Sequence, residues 1–130
     1  MAGPANFGAL PAEFCDRDRA KIAIVPVPYD KTSTWMKGAD RGPDAIIQAS
    51  GNMELYDIET DSQVYQQGIF TDAPIAEDVP PERLVRLVRE RVGQHLANNR
   101  FTVLVGGEHS VSIGAVEAHA SQYPGLTVLQ

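Results

Sequence analysis

Residues 101–105, Phe-Thr-Val-Leu-Val, form an apolar run broken only by Thr102, and two glycines follow at once. Aromatic and β-branched side chains without polar alternation fit a central strand buried on both faces of a parallel sheet. Gly106 and Gly107 permit a sharp turn, and Glu108, His109 and Ser110 stand directly after it. A helix-compatible segment begins at Val111, with Ser110 or Ser112 available as its cap. Strand, glycine turn and helix in that order carry polar groups to the strand's carboxyl end, the region where open α/β sheets bind ligands. Spacing alone leaves His109 open to four readings: a metal ligand, an acid/base, a plainly hydrogen-bonded residue, or a neighbour of an anion held by the turn's N–H groups.

Upstream, residues 22–27 (Ile-Ala-Ile-Val-Pro-Val) read as a first strand, with Pro26 near its end or on an unpaired side because proline lacks a ladder donor. The connection 28–42 is long for a strand-to-helix link, and links of that length tend to carry function. In it, Trp35 is expected to pack the loop down while Lys31 and Lys37 are solvated. Gly42-Pro43 opens a helix whose Ile46, Ile47 and Ala49 face the sheet. Residues 53–60 alternate apolar and acidic, the period of a half-exposed strand or extended edge, and 68–71 read as another short strand.

Residues 82–99 form the clearest helix. Leu84, Leu87, Val88, Val92 and Leu96 share one face, and arginines and glutamates fill the other as a solvated surface. His95 is expected only to complement the helix end, and Asn98-Asn99 to supply a left-handed stop. Residues 111–123 read as a helix, with Gly114 permitting close packing and His119 on the surface. Residues 126–130 begin a further buried strand. The alternation of strands and helices makes the fold class α/β with a mainly parallel sheet.

A chain of 130 residues, 43% hydrophobic, fits one globular unit. Residues 1–20, with their prolines and glycines, read as an amino-terminal arm lying on a surface, and 21–130 as the α/β unit. The net charge of −6, without a basic stripe, argues against nucleic acid or an anionic membrane as partner and leaves small cations easier to accommodate. Cys15 is the sole cysteine, so no internal disulfide forms. Neither a signal-peptide pattern nor an apolar run of membrane-spanning length is present, and a cytoplasmic location is expected.

Two stretches carry a family resemblance. Val105-Gly106-Gly107-Glu108-His109-Ser110-Val111-Ser112 resembles the first metal motif of the ureohydrolases, the arginase and agmatinase family, usually Gly-Gly-Asp-His-Ser. Val27-Pro28-Tyr29-Asp30, followed by Gly38-Ala39-Asp40-Arg41-Gly42-Pro43-Asp44-Ala45-Ile46, resembles the agmatinase pattern of a proline-aspartate loop and an Arg-x-Gly-Pro-x-x-Ile helix start. The order is that of the family.

The resemblance implies the three-layer α/β/α arginase-like fold, present here as its amino-terminal half. It also implies manganese-dependent hydrolysis of a small cationic guanidino substrate, agmatine by expectation, to urea and an amine. In the family, two Mn2+ ions make hydroxide available near neutral pH for attack on the guanidinium carbon. His109 is the one metal ligand the resemblance assigns to this chain, and no catalytic residue is assigned. Its second ring nitrogen is expected to be held by an acceptor. Glu108 stands where aspartate is commoner and is expected near the site without being a ligand. The family's Asp-Ala-His-x-Asp and Asp-x-Asp motifs, which supply most ligands, would lie past Gln130, so these residues alone are expected to be inactive. An exposed last strand in a half sheet favours association, and a homo-oligomer is expected. Two readings from other classes stand beside this one: a non-catalytic interaction subunit, and an anion or nucleotide binder on the Gly106-Gly107 turn, which lacks a P-loop lysine and the third glycine of a dinucleotide fingerprint.

Overall fold

The computed structural model describes residues 5–130. β1 (Ile22–Val27) lies in the middle of a three-stranded sheet of order β2-β1-β3, with both neighbours parallel to it. β2 (Ile69–Thr71) pairs from Ile22↔Ile69 to Ile24↔Thr71, and β3 (Phe101–Gly106) from Ile22↔Phe101 to Val27↔Gly106. The most apolar run is therefore an edge strand here, not the central one. Phe101 and Val103 are exposed, whereas every β1 residue from Ala23 to Val27 is buried. An apolar run reports how well side chains suit a packed surface, and the number of neighbouring strands is settled only by topology.

Strand alternation divides β1 between two layers. Val25 and Val27 point to one side, where α2 (Pro81–Ala97) contributes Leu84, Val88 and Val92 and α3 (Ser112–Gln122) contributes Ala118. Ile22 and Ile24 point to the other, where Phe7, Leu10 and Phe14 of the amino-terminal segment pack with Ile69. α1 (Gly42–Ser50) lies on that second side, its Ser50 hydroxyl accepting the Gly8 N–H at 2.8 Å. Ile47 is buried beneath it while Ile46 and Ala49 are exposed, so the helix presents a narrower apolar stripe than the sequence implies. The amino-terminal segment thus packs on the sheet of its own chain; residues 1–4 of the proposed arm lie outside the described residues.

Two expected strands do not form. Residues 53–60 make turns with a single antiparallel bridge, Asp57↔Ser62, because the Asp57 carboxylate accepts the Glu59 N–H at 2.9 Å and closes a local loop instead of leaving a ladder. Residues 126–130 are exposed and lie beside no strand among the described residues. α2 ends where Asn99 takes φ 55, the left-handed stop expected of it. Among the described residues no helix is long and apolar enough to cross a membrane.

His95 does more than complement its helix end. It is 0% exposed, and its Nε2 lies 2.8 Å from Asp72 Oδ2, which also meets Arg91 Nη1 at 3.1 Å. Asp72 in turn donates its N–H to the Ile24 carbonyl at 2.9 Å, so the network ties α2 to the sheet just past β2. Burial alone raises the Asp72 pKa, but hydrogen bonds from His95, the Ala73 amide and Arg91 outweigh it and hold the carboxyl below its ordinary value of 3.8. Such a group stabilises the fold above its unfolded-state pKa, and that contribution is lost as pH falls through the lower folded value.

Two outcomes follow from this packing. Asp72→Asn costs about 1.5–3 kcal/mol at pH 7, and the deficit relative to the parent shrinks as pH drops below 3.8, read from urea midpoints across that range. At the α2–α3 crossing, a Cβ on Gly114 would lie 2.4 Å from the Val85 carbonyl oxygen and 2.9 Å from the Arg89 nitrogen. Gly114→Ala therefore destabilises by roughly 1–3 kcal/mol despite the higher helix propensity of alanine, measured by the same denaturation.

Candidate functional site

From β1 the chain runs outward through α1 to β2, then returns across β1 through α2 to β3. The direction of travel reverses at β1, with α1 on one face and α2 on the other, so the carboxyl ends of β1 and β3 flank the switch point where open α/β sheets bind ligands. Two segments meet there: the loop 28–42 after β1 and the turn 107–111 after β3.

The sheet pairing continues past the strand ends. Gly107 N–H donates to the Val27 carbonyl at 3.0 Å and Glu108 N–H to the Tyr29 carbonyl at 3.1 Å. This brings the turn so close to the loop that a Cβ on Gly107 would lie 2.2 Å from Tyr29 O, a distance no side chain tolerates, and a tight 3.1 Å from Ala39 O. Tyr29 is buried, and its hydroxyl donates to the Val79 carbonyl at 3.0 Å, fixing the start of the loop to the β2–α2 connection. Burial is the main reason its pKa is raised.

Glu108 turns its carboxylate across the gap. Oε2 accepts the Thr32 N–H at 2.9 Å, and Oε1 accepts the Thr32 hydroxyl and, at 2.6 Å, the Ser110 hydroxyl. Partial burial by itself raises its pKa, and the hydrogen bonds from Ser110 and Thr32 more than offset that and keep it below the ordinary glutamate value. Within the loop, Asp30 Oδ2 accepts the amides of Gly38 at 2.5 Å and Ala39 at 3.1 Å. The Ser33 hydroxyl and these amides lower the Asp30 pKa. Lys37 Nζ donates to the carbonyls of Asp30, Lys31 and Ser33 at 2.6, 3.2 and 3.2 Å, so this lysine organises the loop instead of being merely solvated. Trp35 is 93% exposed: polar contacts shape the loop, and the indole does not pack it down.

His109 stands on the short helical turn His109–Val111, exposed at the switch point. Its carbonyl accepts the Ser112 hydroxyl at 2.8 Å, and no hydrogen bond to its ring forms among the described residues, so the acceptor expected to hold its second nitrogen is not seen among them. Neither Ser110 nor Ser112 caps α3 through its side chain. His119, half-buried, lies apart from the turn, with Nδ1 2.8 Å from the Ala115 carbonyl and Nε2 3.3 Å from Thr102 Oγ1. Three of the amides that the anion-binding reading of the glycine turn could use, those of Gly107, Glu108 and Val111, are donated to protein carbonyls. Thr32 is the residue sequence reasoning missed. A threonine among three consecutive hydroxyl residues carries no signal of its partner until the loop is closed.

The family profile of the arginase family matches residues 20–130. The chain belongs to the arginase family. An N(1)-aminopropylagmatine ureohydrolase of Synechocystis sp. is 31% identical over 130 residues, covering 91% of this chain and 42% of that protein. The structure of an agmatine ureohydrolase of Thermoplasma volcanium superposes with a TM-score of 0.80 at 24% identity, over 91% of this chain and 39% of that one. A formiminoglutamase of Trypanosoma cruzi, solved with Mn2+, superposes with a TM-score of 0.76 at 21% identity, over 86% of this chain and 39% of that one. The chain therefore spans about two fifths of the length of the relatives it matches. Its arginase-like fold is that expected from the two motifs. As a test of a metal centre within these residues, no group of three His, Cys, Asp or Glu side chains that could hold an ion occurs among the described residues, and Glu108 is engaged by three donors. One imidazole does not make a manganese site.

Replacing Gly107 by alanine forces the turn away from Tyr29. We expect a loss of about 1–3 kcal/mol in urea denaturation.

Proposed function

We propose that this chain forms the amino-terminal part of a manganese-dependent ureohydrolase acting on a guanidino amine, agmatine or its N1-aminopropyl derivative. The observation that carries the reading is His109, exposed at the carboxyl end of β3 on the arginase-family turn. The names of the relatives support the guanidino substrate class, and the Mn2+ in the formiminoglutamase structure supports the ion. His109 then contributes one nitrogen, and carboxylates outside residues 1–130 contribute the rest. The chain's own part is positional: β1 and β3 set the height of the turn, and the loop after β1 walls it.

These 130 residues alone are inactive on this reading. Exposed apolar side chains, among them Phe101 and Val103 of the edge strand β3 and Val128 and Leu129 after α3, support association with further polypeptide, including copies of this chain.

Incubating the purified 130-residue chain with agmatine or N1-aminopropylagmatine and Mn2+ should release urea no faster than buffer. Robust turnover would show that the missing donors are not needed. In a form carrying the further carboxylates, His109→Asn should lower manganese affinity at least ~10–100-fold, the loss seen on removing even an outer partner, measured by metal titration. Unchanged affinity there would remove His109 from the site.

A further inference from the structure

We propose that Glu108 is a positioning residue that latches the β1–α1 loop onto the turn carrying His109, so that loop and turn keep one relative position.

The loop and the turn are far apart in sequence and are joined at two levels. At the base, Tyr29 and Ala39, the ends of the loop, lie against Gly107 through backbone contacts alone. Between those ends, Asp30 and Lys37 bond within the loop. Such bonds preserve the loop's shape but leave it free to swing about its two anchored ends. Two contacts oppose this swing: an exposed ion pair from Lys31 Nζ to Asp78 Oδ1 at 2.5 Å ties the loop to the β2–α2 connection, and Glu108 holds Thr32 through both the amide and the hydroxyl, which is the contact that ties the loop to the turn. Ser110, from the same turn as His109, donates to the same carboxylate at 2.6 Å and orients it toward the loop.

Charge-assisted bonds of this kind are about twice as strong as neutral ones, and both Thr32 contacts lie at the solvent-exposed rim of the turn. Chain length is part of the device. Glutamate reaches one methylene farther than the aspartate usual at this place in the motif, and Thr32 is met by both of its oxygens. The latch stands on geometry alone. Its consequence for substrate, with the loop held as a wall beside His109, rests on the ureohydrolase reading, and the test below uses neither metal nor substrate, so either can fail without the other.

The test follows amide exchange of residues 31–38 and the anisotropy of Trp35 in the full 130-residue chain, with the urea midpoint as a separate measure of global stability. Glu108→Ala should raise exchange at Thr32 and its neighbours by about 10-fold and lower Trp35 anisotropy. Thr32→Val, which keeps the amide donor, should do less. The double variant should do no more than Glu108→Ala, since both changes break one contact. Glu108→Asp should restore part of the ordering. A residue with only a general structural role would shift the urea midpoint and leave the Trp35 signal of the folded state unmoved, and that result overturns the latch. So do additive effects in the double variant. Should Glu108→Ala fail to fold, Thr32→Val decides: unchanged exchange and anisotropy in that folded variant also overturn it.

Discussion

The parallel ladder between β1 and β3 is the constraint on which the rest of the structure depends. It brings Val27 beside Gly106, and the next two amides of the turn continue it onto the carbonyls of Val27 and Tyr29. Once the two carboxyl ends are level, the segments that leave them have to share the same space. Gly107 is the residue that makes this possible, because any side chain there would meet the Tyr29 carbonyl. The height and facing of His109 thus follow from sheet register, through a glycine that has no chemistry of its own.

The acidic balance of the chain has a structural explanation at each carboxylate the fold encloses. Asp30 caps two loop amides, Glu108 spans two segments, and Asp72 joins a buried histidine and an arginine to the sheet. All three have lowered pKa values because donors were placed around them, with burial acting in the opposite direction for each. They are committed to holding shape. A site that needs negatively charged ligands therefore could not draw on them without giving up the contacts each one holds.

The two layers flanking the sheet are of different character. On the α2–α3 side the contact is close enough to require Gly114 against the backbone of α2, and the core there is aliphatic. On the other side, short helical turns of the amino-terminal segment bring phenylalanines onto Ile24 and Ile69, and Gly8 bonds to Ser50 of α1. The first layer sets the position of the β3–α3 turn, since α3 follows it directly. The second sets where the loop after β1 must return to meet α1.

Local signals settled a good deal of this. Glycine pairs, proline at a helix start and the 3.6-residue spacing of α2 act over a few residues, and they located β1, α1, α2, β3 and α3 together with the His109 turn. Two motifs in family order were enough to indicate the arginase-like fold. What local signals could not decide was anything that needs a neighbour. The alternation at 53–60 does not reveal that the Asp57 side chain closes a turn there, nor does the apolar run at 101–105 reveal that β1 is its one partner strand among the described residues. His95 and Asp72, separated by a whole connection, become a buried pair only when α2 lies on the sheet, and Thr32 finds Glu108 only when β1 and β3 are in register. Residue type and spacing encode the strength of short-range preferences, whereas the pairing of distant polar groups depends on which backbone segments tertiary packing brings within hydrogen-bonding distance.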